Sequence, residues 1–487
     1  MFVINVLLVS LIGIIYAYYK HVFSFFRSRG IPGPDPIIFF GNMLDNFQKP
    51  WMKLARKRQD MYGRVYGVFD GRIPKLVISD PAILKRIMVQ DFNHFTNRRS
   101  DNFDHPIERK MMFVLDGDEW YGWRKQLTPI YSPAKLKGMQ SVINGSIDDL
   151  VVGIKEKITQ NNSQDVKINI TVLMQNIAME AIAKTSCRID MDFKPLVESV
   201  KQFVNLTSFR MILGMLLPKR LKTAINFTVF DKDGLNATVR QTRAILAERR
   251  KSLMTDRSSD ALSHLMTVKV NENGNDRLAT DDEIVANILL FFVAGGHSSA
   301  IAFSMIIYLL AQHKECQKRV YEEVTRVTGG RQDQINMETV KEMQYLTAVF
   351  SESQRLYPSS TYTERKVSKE YDLNGVTLPV GLHIFIPIYL LHHDETLHPN
   401  PETFDPDRFM PDRIQKMTEF SFMPFGQGPR ICIGYRFTML QAQILISRLI
   451  LEFEFEPCDN GHIDISETVD ELLTTPDLFV KFKRRSD

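Results

Sequence analysis

The residues with the most distinctive chemistry lie in Phe425-Gly426-Gln427-Gly428-Pro429-Arg430-Ile431-Cys432-Ile433-Gly434. One cysteine sits in a turn built from three glycines and a proline, with an arginine two residues before it. The apolar segment 435–451 that follows reads as a helix. Such a turn leaves backbone N–H groups free to point at the sulfur and sets a helix N-terminus beside it, and both favour the charged form of sulfur. A cysteine held as thiolate and shielded from solvent is suited to be an axial ligand of a haem iron, whereas an isolated cysteine is more commonly a buried small hydrophobe.

Three further constellations carry charge or proton chemistry. Glu352 and Arg355 are spaced i, i+3 on a segment, 344–356, that reads as a helix ended by Pro358, so they share a face. Alone, such a pair is a surface salt bridge of little worth. Trp120 and Arg124 are spaced i, i+4 and stack on one helical face, and a guanidinium fork suits carboxylates. His297 and Ser298 follow Gly295 and Gly296 in the middle of a long apolar segment. A histidine there either moves protons near neutral pH or fills space against a backbone carbonyl.

The elements that position these residues can be read around them. The chain has 487 residues, 44% of them hydrophobic, with no Gly/Ser linker or internal repeat, which favours one large domain. A net charge of +4 does not suggest nucleic acid, and four irregularly spaced cysteines form neither a zinc pattern nor a disulfide framework. Residues 1–19 carry no charged side chain, Lys20, His21, Arg27 and Arg29 follow, and no small-x-small cleavage site is present. Residues 1–20 are therefore expected to be a retained transmembrane anchor rather than a signal peptide, with the main body in the cytosol. Residues 21–36, basic and then proline-rich, read as a stiffened hinge, and 37–487 as the catalytic domain. Hairpins are expected at 64–79, turning at Asp70-Gly71, and around Asn374-Gly375. Thr280-Asp281-Asp282-Glu283 is a capping-box signature that opens a helix of about 30 residues, about 45 Å long. It is apolar almost all round and must be buried. A strand is expected at 478–482.

The cysteine loop, F-x-x-G-x-R-x-C-x-G, resembles the haem-binding loop of the cytochrome P-450 family, the haem-thiolate monooxygenases. The family's other motifs follow its order: W-x-x-x-R at Trp120 and Arg124, A-G-x-x-x-x at 294–299, E-x-x-R at Glu352 and Arg355, and F-x-P-x-R-F at 404–409. Phe95-Thr96-Asn97-Arg98-Arg99 is similar to the animal drug-metabolising branch. The resemblance implies a predominantly α fold with a small β region and haem b between the long helix and the cysteine loop. It implies Cys432 as the iron ligand, with Phe425 and Gly434 shaping its loop. Trp120, Arg124, Arg365 and Arg430 would reach the haem propionates, and Arg408 would complete a structural Glu352–Arg355–Arg408 triad. On the distal side Gly295 would make room for dioxygen, and His297 and Ser298 replace the family's usual acid and threonine.

The activity so implied is insertion of one atom of dioxygen into an apolar lipid, steroid or xenobiotic. Electrons would come from NADPH through a flavoprotein reductase on the endoplasmic reticulum membrane, with a cytochrome b-type protein as a second donor. Lys125, Lys135, Lys137 and Arg436 are candidates for steering that acidic partner, or simply a solvated face. The changed His297-Ser298 pair keeps two alternatives open: a haem-thiolate isomerase or dehydratase acting on a peroxide, and a non-catalytic haem or lipid carrier. Segments 100–114, 203–217, 359–362 and 471–475 are expected to border the substrate. Sequons at Asn144, Asn161, Asn169, Asn205, Asn226 and Asn236 would be idle in a cytosolic body.

Overall fold

The computed structural model describes residues 2–45, 50–99, 103, 105–188, 192–204, 210, 213–214, 217, 219–225, 227–252, 260–272, 275–458 and 476–485. Substrate-bordering segment 471–475, most of the apolar run 211–217, and sequons Asn205 and Asn226 lie outside the described residues.

Helices dominate, as expected. The hairpin at 64–79 forms from strands Val65–Asp70 and Ile73–Ile78, with Asp70 opposite Ile73 across the turn. His383–Ile386 adds to it in parallel and Thr363–Lys366 closes a four-stranded sheet. The second hairpin, Tyr371–Leu373 with Val376–Leu378, turns on Asn374 and Gly375, both at positive φ. The C-terminal strand is Phe479–Arg484, which pairs with Phe453–Pro457 on one side and Asp165–Asn169 on the other.

The capping box opens the long helix as the sequence predicts: Thr280 accepts from the Glu283 N–H, and the Glu283 carboxylate accepts from the Thr280 N–H. The helix runs Asp281–Gln312 and is largely buried, packed on one side by Ile170–Cys187 and close to the Gln344–Leu356 helix. At Phe292–His297 it widens into π-turns, a local geometry common at functional sites.

The N-terminal helix, Phe2–Arg27, runs past the expected boundary at residue 20 and carries Lys20, His21 and Arg27 on its last turns. Its final aromatic residues dock on the four-stranded sheet. Phe23 and Phe26 meet the Phe69 ring edge-on at 5.1 and 5.2 Å. The approach needs a glycine, because a Cβ on Gly67 would stand 2.2 Å from the Phe26 ring. The proline-rich strap that follows is tied down too: the Gly67 N–H donates to the Pro32 carbonyl at 2.8 Å, and Asn42 donates to the Asp35 carbonyl. Within segment 21–36 the helix continues to Arg27 and the proline-rich part lies packed as a strap.

Candidate active site

The site grows from the brace beneath the cysteine loop. Glu352 and Arg355, one turn apart on the Gln344–Leu356 helix, form a fully buried bidentate pair at 2.7 and 2.9 Å. Arg408 reaches the same carboxylate at 3.4 Å, so the three residues meet as a triad. The Glu352–Arg355 pair is tied further: Arg355 donates to the carbonyls of His392 and Thr403, and Glu352 accepts the Asp405 N–H, whereas the buried Arg408 Nε makes no hydrogen bond among the described residues. Those ties separate this pair from an exposed one of the same spacing.

Above the brace, the Cys432 N–H donates to the Phe425 carbonyl at 2.9 Å and pins the loop closed. Gly428 has φ +73°, and a Cβ there would lie 1.9 Å from the Met88 carbonyl oxygen, so the loop can sit against its neighbour only with glycine. Cys432 stands just before the Tyr435–Glu452 helix, whose first backbone N–H groups favour the charged form of its sulfur. Yet burial pushes the thiol up, against those N–H groups and the charges of Arg124 and Arg98. The loop's donors act in the expected direction, toward the charged sulfur. The donors are present, but desolvation outweighs them until a cation arrives. The sulfur's accessible surface faces a cavity of about 1310 Å³.

That cavity is lined on one side by Cys432, Phe425 and Gly434, and across from them by Gly295, His297 and Ser298 of the long helix. Arginines gather along its edge. Arg430 lies over the Trp120 ring at 4.2 Å and donates to the Thr96 and Leu115 carbonyls. Trp120 and Arg124 share a face of the Gly117–Leu127 helix. Arg365, on strand Thr363–Lys366, lies behind the lining residues Thr363 and Glu364 and does not itself line the cavity; it donates one bond to the Glu364 carbonyl, while its Nε and Nη2 have no hydrogen-bond partner among the described residues. Burial, then repulsion by Arg98, holds Arg430 down to about 9. The same two causes, with Arg430 adding to the repulsion, hold Arg365 well below the usual arginine range. Arg98 was missed as a site residue: it lines the cavity, donates to the Arg430 carbonyl at 3.5 Å and is held down to about 10, chiefly by burial.

Buried guanidiniums that repel one another and keep unsatisfied donors call for an anionic occupant. A cavity of this volume, with a cysteine sulfur facing it and carboxylate-binding donors at its edge, fits a haem with two propionates. The profile of the family "Cytochrome P450" matches residues 31–482. The chain belongs to the cytochrome P450 family. Relatives include cytochrome P450 3A41 of Mus musculus, 30% identical over 480 residues, covering 96% of this chain and 94% of the relative. Cytochrome P450 3A9 of Rattus norvegicus is 30% identical over 484 residues, covering 96% and 93%. Lithocholate 6-beta-hydroxylase of Mesocricetus auratus is 29% identical over 468 residues, covering 93% and 91%. The protein is a haem b-dependent monooxygenase supplied with NADPH-derived electrons.

On the distal wall of this P450, the Ser298 hydroxyl turns back to donate to the Ala294 carbonyl at 2.5 Å. Its own carbonyl accepts from Ser359 at 2.9 Å. Ser360 and Tyr362 also line the cavity, so part of the 359–362 segment borders it as expected. The His297 ring has no hydrogen bond among the described residues, and burial holds it below the ordinary histidine range. Gly295 faces the long helix's neighbour: a Cβ there would meet Ile182 Cδ1 at 3.0 Å. In this geometry the glycine permits close helix packing, and the space it leaves is partly taken by Ile182.

Proposed function

We propose that Cys432 is the iron ligand of a membrane-anchored monooxygenase whose distal proton handling runs through His297 and Ser298. The observation that carries this reading is the cysteine sulfur, set just before a helix N-terminus, facing the same cavity as the π-widened segment of the long helix. Bound there, haem would supply reductive activation of dioxygen, with thiolate ligation favouring O–O cleavage. Arg98, Arg124, Arg365 and Arg430, with Trp120, would hold and orient the propionates, whose negative charge would relieve the repulsion among the arginines. Phe425 and Gly434 fix the height of the sulfur.

On the other wall, Ser298 has its proton committed to Ala294 and offers only its lone pairs to a water in the cavity. His297, neutral near pH 7, can both accept and donate a proton there. The pair therefore supports a relay in which the histidine, not the hydroxyl, hands on the proton. Apolar and aromatic side chains, among them Phe103, Phe113 and Phe230, line the cavity and suit a bulky lipid, steroid or xenobiotic.

Residues 1–20, together with the helix that continues to Arg27, anchor the chain in the endoplasmic reticulum membrane with residues 37–487 in the cytosol. A flavoprotein reductase docks on the face bearing Lys125, Lys135, Lys137 and Arg436, and a cytochrome b-type donor can use the same face. Turnover in reconstituted vesicles tests the whole reading: oxygenated product should require NADPH, reductase and dioxygen together. Conversion of a peroxide without reductase would instead mark an isomerase.

A further inference from the structure

We propose that His392 is a positioning residue that fixes the cysteine loop to the buried Glu352–Arg355 brace, by accepting the Met423 N–H as a neutral imidazole. The inference rests on Cys432 being the iron ligand.

His392 closes the short helix Ile388–His392 and is fully buried. Its Nδ1 lies 3.2 Å from the Arg355 carbonyl oxygen, and its Nε2 lies 3.0 Å from the Met423 backbone nitrogen. A carbonyl can only accept and a backbone N–H can only donate. One tautomer satisfies both, with the proton on Nδ1 and the lone pair on Nε2. Arg355 ties the pair a second time by donating Nη1 to the His392 carbonyl at 2.8 Å. The ring also leans on Phe422, 5.2 Å between centroids.

From Met423 the connection runs directly into the loop. The Met423 carbonyl accepts the Gly426 N–H at 3.0 Å, and the Phe425 carbonyl accepts the Cys432 N–H at 2.9 Å. Thus Arg355, His392, Met423 and the Phe425–Gly426 turn form one bonded path that ends on the cysteine. The Met423 N–H has no other acceptor among the described residues, so loss of the imidazole lone pair orphans a buried donor at the base of the loop.

The charged and titratable groups around the ring agree with the neutral form. Arg355, His393 and His398 all face it, and Glu352 is already shared between Arg355 and Arg408. Burial, then these neighbours, holds His392 well below the usual histidine range.

Two substitutions separate the two bonds. His392→Gln places an amide oxygen where Nε2 stands and keeps an acceptor for Met423. His392→Asn places its amide at Nδ1, keeps a donor for the Arg355 carbonyl, and orphans Met423. The full-length, haem-loaded protein is reduced under carbon monoxide, and the ratio of the short-wavelength Soret band to the red-shifted thiolate band is read. Asn should raise this ratio roughly tenfold, and Gln should leave it within about twofold of wild type. Equal ratios in the two variants, or an Asn ratio at the wild-type value, overturns the inference. If neither variant retains haem, amide hydrogen exchange at Met423 in the wild-type protein decides: slow exchange supports the bond and fast exchange removes it. A wild-type protein lacking the red-shifted band would fail the Cys432 assignment itself, and this inference with it.

Discussion

The two walls of the cavity are built on different principles. Beneath the cysteine, almost every strong polar group has a fixed partner: Glu352 with Arg355 and Arg408, His392 with Met423, Cys432 N–H with Phe425. On the opposite wall, the Ser298 hydroxyl folds back on its own helix and the His297 ring makes no hydrogen bond among the described residues. One wall must hold a metal in a single geometry, which buried charge pairs and backbone hydrogen bonds enforce. The other must leave space and move protons, which packing and a π-turn allow. Substitutions on the first wall should therefore cost binding and stability, whereas those on the second should cost only coupling.

The sharpest break in that contrast is Cys432→Ala. It should abolish the red-shifted band of the reduced carbon monoxide complex and all turnover; a retained band would remove Cys432 as ligand. Next comes Glu352→Ala, which strips both arginines of their buried carboxylate. It should cost about 3–5 kcal/mol in denaturant unfolding and lower haem content, whereas a loss below about 1 kcal/mol, the value of an exposed pair, would show the brace to be ordinary.

Acid should attack the braced wall from within. Burial holds His398 down to about 4, against 6.5 for a free histidine. A depressed histidine contributes stability that is present above pH 6.5 and is lost as pH falls toward 4, because the unfolded chain takes up the proton first. The loss should reach roughly 3 kcal/mol, and His398→Phe should flatten that part of the stability–pH curve. An unchanged slope would locate acid sensitivity elsewhere. The smallest effect is expected at His297→Ala. Stability and the red-shifted band should hold, while product formation falls several-fold and peroxide release rises. Unchanged coupling would take His297 out of the mechanism.

Elements whose signals are local were legible in the sequence. The capping box at Thr280, the turn at Asn374-Gly375 and the Gln344–Leu356 helix stopped by Pro358 all depend on neighbours a few residues apart. Arg98 was not legible as a site residue. An arginine that lines the cavity reads in sequence like one in solvent, and only the fold brings it to its partner Arg430, 332 positions away. The same holds for His392, whose partners Arg355 and Met423 lie 37 and 31 positions away. The N-terminal helix was read from its apolar run, but its end was not, because Phe23 and Phe26 read in sequence simply as apolar, and only the fold sets them against Phe69.

By itself the sequence determined the family, the ligand cysteine expected of it, the charge pairs and the order of elements, since each is a matter of residue type and spacing. How strongly burial opposes the charged form of Cys432 was decided by the tertiary structure. Backbone donors beside a sulfur can be inferred from a glycine turn and a following helix, whereas the desolvation that opposes them depends on how much protein surrounds the site. The gathering of Arg98, Arg365 and Arg430 was decided in the same way. Their repulsion exists only once long-range packing brings three like charges together and removes the water between them.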